Sequence, residues 1–311
     1  MQHSVFRFGL IGWLYLCLAG RMLSAFPLIP TKFPDDATLW REFADALGKK
    51  YQEGKTPKLR DLYTQLERTN RASIRLKKFT SAEKKAEDIF KTCSKSVVAL
   101  GSAYKCNHCP HWHTGTTATG WVIGSRGEIV SNYHVLADKR NTNVVAIGVM
   151  TQDGRCFPIQ EVLVADRTRD VVIVRIDDHD LPALAIAPPE PVGRPISIIS
   201  HPNGDLFTFT QGTISRYASR AVEPSSPTIG WMFVTADFAI GSSGGPVINR
   251  CGEVVGMVAR TATLSADPAN PGLTTQMVVK MTIPAEGILN LVSSESLNQP
   301  KRLSRGISGG K

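Results

Sequence analysis

A serine hydroxyl is a poor nucleophile at neutral pH. It becomes reactive only beside a base and near donors for the oxyanion that develops. The run Gly241-Ser242-Ser243-Gly244-Gly245-Pro246 has the composition such a nucleophile needs. Its glycines let the backbone turn tightly about Ser243, which aims the amides of Gly241 and Ser243 at one point as an oxyanion hole. A Gly/Ser loop between strands is by itself only a turn, so a base and an orienting carboxylate must accompany it. His134, within Ser131-Asn132-Tyr133-His134-Val135, follows an apparent hairpin made by Thr119 to Ile123 and Glu128 to Val130, and so sits at a strand end. Asp170 opens the apolar run Val171 to Ile176, where an acid at the mouth of a strand can face a cleft and steady an imidazolium. These three residues predict an activated nucleophile, Ser243, with His134 as its base and Asp170 as the carboxylate that orients it, and that chemistry requires no cofactor.

A second group stands apart from these. Cys106-Asn107-His108-Cys109-Pro110-His111-Trp112-His113 places two thiols and three imidazoles within eight residues. Cys106, Cys109, His111 and His113 are of the right types for zinc, and Pro110 excludes c-type haem attachment because it stands where that motif needs His. The preferred reading is an exposed loop whose cysteines form disulfides, with Cys93 or another cysteine, and no metal is expected.

Elements to position these residues are legible in the hydrophobic pattern. From Ser96, short β-branched runs alternate with Gly, Asn, Asp and Pro: 97–100, 121–123, 128–130, 144–149, 171–176, 196–199, 247–248 and 254–258. Strands at this spacing with no helices between them predict an all-β barrel or sandwich, closed by a helix over 285–292. Residues 37–93 read instead as a small α-helical N-terminal extension. Leu39, Trp40, Phe43, Ala44 and Leu47 share one helical face, as do Leu59, Leu62 and Leu66 after Pro57. Thr80 and Glu83 predict a capping box before Ala86, Ile89 and Phe90. The basic faces between read as solvated, with a docking surface for a partner or an anionic envelope as the alternative.

Composition sets the boundaries. The chain has 311 residues, 42% hydrophobic and 20% charged, with a formal net charge of +9. That surplus lies at the ends: residues 31–95 hold 16 Lys/Arg against 10 Asp/Glu, whereas residues 96–300 hold 14 against 17. The main domain therefore has no electrostatic claim on nucleic acid. Arg7 followed by an apolar Phe8–Gly20 and the small Ser24-Ala25 predicts a signal peptide over 1–25 and a secreted or periplasmic protein, with membrane attachment only if that segment stays uncleaved. Cys17 would leave with it, and the remaining five cysteines cannot all pair within one monomer. The basic tail 295–311 is expected to be disordered.

The quoted motifs place residues 96–294 close to a known family. The Thr119-Gly120-Trp121 strand, Ser131 to Val135, Asp170 to Val174, Gly241 to Pro246 and Gly252-Glu253-Val254-Val255-Gly256 together resemble the trypsin-like serine peptidase domain of the HtrA/Deg type, in the same His, Asp, Ser order. The resemblance implies two six-stranded antiparallel β-barrels, a catalytic cleft between them, an acyl-enzyme mechanism and polypeptide substrates. It also favours Asp170 over Asp166, since the family's acid directly precedes its apolar strand. His201-Pro202-Asn203-Gly204 resembles a family turn, which makes His201 structural, and Asp177, Asp178 and Asp180 read as a solvated loop.

Departures from the family are the upstream helices, the absence of a PDZ-like segment after residue 295, and Ile240 running directly into Gly241 where the family has Asn-Pro. Specificity is therefore open between two alignments. Asp237 lies six residues before Ser243, where trypsins carry the acid that receives Lys or Arg, yet Asp237 to Ile240 also aligns with an HtrA stretch in which the acid supports the loop. Thr261, where trypsins have a pocket-wall Gly, would crowd a long side chain. The expected substrate-binding residues are Asp237, Ile240 and Thr261, with small or medium apolar P1 residues favoured. A catalytically silent or chaperone-like binding protein on the same fold is the alternative function. The sequence leaves oligomeric state open.

Overall fold

The computed structural model describes residues 33–68, 71–80, 82–221, 227–267 and 269–294. The expected signal segment and basic tail lie outside them. In chain order the elements are α1 (Asp36–Gln52), α2 (Leu59–Leu66), β1 (Ala72–Ile74), α3 (Ala86–Cys93), β2 (Val97–Lys105), β3 (Trp112–Thr114), β4 (Ala118–Val122), β5 (Glu128–Ser131), the single turn α4 (Tyr133–Leu136), β6 (Val144–Met150), β7 (Cys156–Asp166) and β8 (Val171–Ile176). There follow β9 (Pro195–Ser200), β10 (Thr208–Ala221), β11 (Thr228–Val234), β12 (Pro246–Asn249), β13 (Val254–Ser265), β14 (Thr275–Pro284), α5 (Ala285–Leu289) and β15 (Val292–Ser294).

Two antiparallel rings of six strands result. In the first the order is β2-β4-β5-β8-β7-β6, closed by β6 returning to β2, with β3 as an extra strand on β2. The second is a closed barrel in the order β10-β11-β14-β13-β12-β9. The expected two-barrel fold is the observed one.

The run Val171 to Ile176 is apolar throughout because both its faces are covered. Val172, Val174 and Ile176 point into the first ring with Val98, Leu100, Val122 and Ile129. Val171 and Ile173 face the layer between the rings, where Trp121, Val130, Trp231, Phe233, Ile248 and Met257 are buried. The second barrel is filled by Ile196, Ile198, Ile214, Met232, Val247 and Val255. At about 25 cal/mol per Å² of apolar surface, these interiors supply the main driving force for the fold.

The upstream helices are part of this assembly, and the described residues from Asp36 onward form one unit. Phe43 and Leu47 of α1 are buried against Ala99, Ala103, Ala146 and Met150. A Cβ at Gly48 would lie 2.2 Å from the Trp112 ring, so only glycine lets α1 sit this close to β3. Leu62 and Leu66 of α2 join the core of the first ring, and Ile89 of α3 joins the layer between rings. Their apolar faces are thus buried against the barrels.

Three local expectations need correction. The extension is not wholly helical, because β1 pairs in parallel with β15 at the end of the domain. The closing helix stops at Leu289, and Val292 belongs to β15. The capping box does not form: the Thr80 amide donates to Glu253 (2.6 Å) and Glu83 pairs with Arg250 (2.8 Å), leaving Lys85 as the N-cap of α3. Tertiary partners outbid the local cap. No helix among the described residues is long and apolar enough to cross a membrane.

Candidate active site

Strand β5 ends at Ser131, and Asn132, in extended conformation, opens the single turn α4. That turn projects His134 from the first ring. The β7–β8 connection returns to the same edge and ends at Asp170, whose φ of 57° is left-handed. A non-glycine residue there costs about 1–3 kcal/mol and persists only where surroundings hold it. Asn132 Nδ2 donates to the Asp170 carbonyl (2.9 Å), and the His134 amide donates to Asp170 Oδ1 (2.9 Å). The other carboxylate oxygen, Oδ2, lies 2.8 Å from His134 Nδ1. Across the cleft, His134 Nε2 lies 3.2 Å from Ser243 Oγ. Asp166 is occupied elsewhere, accepting from the Arg169 amide (2.9 Å) and guanidinium (2.7 Å).

The serine loop is held from several sides. Gly241 and Gly244 have φ of 89° and 87°, which only glycine adopts without strain. The Ile240 carbonyl accepts from the Asn203 amide (2.6 Å). Because a trans peptide points its N–H opposite its C=O, that bond turns the Gly241 N–H the other way. Ser242 lies beneath, its hydroxyl bonded to Ser200 (3.0 Å), and its amide, like those of Gly244 and Gly245, has a carbonyl partner. Among the described residues the amides of Gly241 and Ser243 have none. Buried Thr119, on β4, joins the two rings here: its hydroxyl donates to the Gly241 carbonyl (3.0 Å) and its amide to the Ser243 carbonyl (2.9 Å). The sequence flagged Thr119 only as part of a strand, because nothing in its neighbourhood reveals a partner so far along the chain.

These groups open on a cleft of about 1180 Å³ walled by both rings. Helix α2 adds Tyr63 and Leu66 to that wall, and its C-cap adds Glu67, a contribution the amphipathic pattern did not announce. Asp138, also in the wall, is bound by Arg140 (2.8 Å), whose guanidinium holds the carboxyl well below the usual carboxylate range.

Of the three expected specificity residues, only Ile240 is in this lining, and it is 81% exposed. Thr261 is exposed on β13 opposite Lys280. Asp237 is no buried pocket floor. Its side chain is 88% exposed and lies 3.5 Å from Lys280 Nζ, which also donates to the Phe238 carbonyl (2.5 Å). His201 is fully buried, with its Nδ1 accepting from the Phe207 amide (2.9 Å), and burial pushes its pKa down to about 4.

At the hairpin between β2 and β3, Cys106, Cys109 and His113 converge, whereas exposed His111 is not among them. All five described cysteines are free. The expected disulfides, to Cys93 or another cysteine, are absent: Cys93 is buried at the end of α3 facing the Gly252 carbonyl, where burial raises its thiol pKa.

Residues 118–257 match the family model for the trypsin-like peptidase domain. Over that segment the chain is similar to the trypsin-like peptidase domain, and its two six-stranded rings are the trypsin-like fold. Its curated relatives are of the HtrA type. The chain is 30% identical over 164 residues to the mitochondrial serine protease HTRA2 of Drosophila willistoni, covering 51% of this chain and 36% of that protein. Against the putative serine protease HhoB of Synechocystis it is 30% identical over 145 residues, covering 45% and 33%. The chain therefore spans well under half the length of these relatives. Among solved structures, the active form of the Rv3671c protease from M. tuberculosis superposes with a TM-score of 0.51 at 22% identity, over 70% of this chain and 92% of that one, a likeness of fold.

Proposed function

We propose that the protein is a serine endopeptidase that cleaves exposed or unfolded polypeptides through Ser243, His134 and Asp170. The observation that carries this reading is His134 standing between the other two, 2.8 Å from Asp170 and 3.2 Å from Ser243. Ser243 Oγ attacks the scissile carbonyl while His134 Nε2 takes its proton. Asp170, accepting from Nδ1–H, fixes the tautomer and stabilises the imidazolium. The tetrahedral oxyanion lies against the amides of Gly241 and Ser243. Collapse breaks the C–N bond as His134 returns the proton to the leaving amine, and water repeats the cycle on the acyl-enzyme.

The open cleft suits an extended chain. A cationic P1 residue is not expected, because Lys280 already accompanies the Asp237 carboxylate and Asp237 faces solvent. The exposed Ile240 beside Ser243 favours a small or medium apolar one. Incubating the protein and its Ser243→Ala variant with a peptide library tests the proposal, with cleavage sites read by mass spectrometry. Turnover should fall by several orders of magnitude in the variant, and equal turnover would end the proposal. Export rests on residues 1–25 alone; N-terminal sequencing of the mature protein after expression in an exporting host tests it.

A further inference from the structure

Cys106, Cys109 and His113 play no part in peptide hydrolysis, yet they meet. The two sulfurs are 3.5 Å apart, and His113 Nε2 lies 3.3 Å from Cys106 Sγ and 3.1 Å from Cys109 Sγ. We propose that these three side chains bind a zinc ion, with solvent at the fourth corner.

At 3.5 Å the two sulfurs are not bonded to each other, and a disulfide would leave unexplained the imidazole nitrogen aimed at both. One imidazole nitrogen has a single proton or a single lone pair to offer, so hydrogen bonding satisfies only one of these contacts. A shared metal satisfies both. Tetrahedral zinc with Zn–S of about 2.3 Å and Zn–N of about 2.0–2.1 Å sets its ligand atoms about 3.5–3.8 Å apart. The three observed separations fall within about half an ångström of that range, and a modest opening admits the ion.

The donor set is apt, because thiolate and imidazole ligands suit zinc and two thiolates cancel its charge. Tyr104, paired with His113 across β2 and β3, lies along the imidazole with ring centroids 5.3 Å apart and so limits its rotation. Binding displaces the two thiol protons to solvent and forms two Zn–S bonds and one Zn–N bond.

The ion would pin the tip of the β2–β3 hairpin. Trp112 at that tip rests against α1 at Gly48, with Lys105 Nζ 4.7 Å from its ring centroid. Zinc there secures the seat of α1 and leaves the hydrolytic groups untouched.

The test measures metal content of the full chain purified under reducing conditions with zinc supplied, followed by chelation and reloading with Co²⁺. The expected results are one zinc per chain, a lower melting temperature after chelation, and a tetrahedral cobalt spectrum with thiolate-to-metal charge transfer. Cys106→Ser, Cys109→Ser and His113→Ala should each weaken binding at least tenfold, and His111→Ala should retain the zinc. Should the cysteine variants fail to fold, the cobalt spectrum of the unaltered chain decides alone. Substoichiometric zinc with no charge-transfer band would overturn the proposal. So would a Cys106–Cys109 disulfide in protein purified without added oxidant, or loss of zinc from His111→Ala.

Discussion

Thr119 and Gly241, 122 positions apart in sequence, are joined by a 3.0 Å hydrogen bond from the threonine hydroxyl to the glycine carbonyl. The same hydroxyl accepts from the His201 amide (3.1 Å). One side chain of the first ring thereby sets the height of a loop in the second. Thr119→Val keeps the shape and removes both bonds, leaving a buried carbonyl and amide unpaired. We expect a loss of about 1–3 kcal/mol in unfolding free energy. Peptidase activity should fall by at least about tenfold as the Gly241 amide drifts. Unchanged denaturation and turnover in the variant would remove the clasp from the account.

Asp170 combines a left-handed backbone with two bonds to His134. Asparagine tolerates that backbone, so Asp170→Asn should fold. It can, however, present an NH₂ to the imidazole and so favour the wrong tautomer. A drop of about 10³–10⁴ in kcat is expected with little change in melting temperature. Activity within about tenfold of the parent would show that Asp170 does not orient the base.

How much of this was legible in the sequence follows from where the information lies. Val171 to Ile176 was readable as a strand because burial on both faces writes itself as an unbroken apolar run. A glycine-rich turn and two strand ends marked Ser243, His134 and Asp170 locally, but the choice of Asp170 over Asp166 came from the family resemblance. The Thr119 clasp, the β1–β15 pairing and the place of α2 in the cleft wall were not, since each depends on a partner far along the chain. The missing capping box is the converse case: Thr80 and Glu83 had the right local spacing, and Glu253 and Arg250 claimed them. The cysteine-histidine segment was visible by composition, but only folding showed that His113 joins the thiols and His111 does not.

His201 gives the fold a pH dependence. Buried and accepting through Nδ1, it stays neutral until pH falls to about 4, whereas the unfolded chain protonates near 6.5. Between those values the unfolded state binds more protons. The contribution is therefore intact above about pH 6.5 and is lost progressively as pH falls toward 4, to a limit of about 3 kcal/mol. Urea unfolding at pH 7 and pH 4.5 should show a larger loss for the parent than for His201→Gln. Equal losses would contradict this.

Asp237 should matter little to substrate choice. With its carboxylate in solvent beside Lys280, Asp237→Ala is expected to leave the P1 profile of a peptide library unchanged within about twofold and dominated by apolar residues. A parent profile led by Arg and Lys that collapses in the variant would restore Asp237 as the specificity acid.

The central claim is that Ser243 is a nucleophile activated by His134. A fluorophosphonate reacts covalently with such a serine, displacing fluoride and leaving a phosphonate ester. Intact-mass measurement followed by peptide mapping should find one adduct per chain, on Ser243. Labelling should be slowed by at least about 10³-fold in a folded His134→Ala variant. A folded parent protein that takes up no label, or takes it up on another serine, would contradict the account.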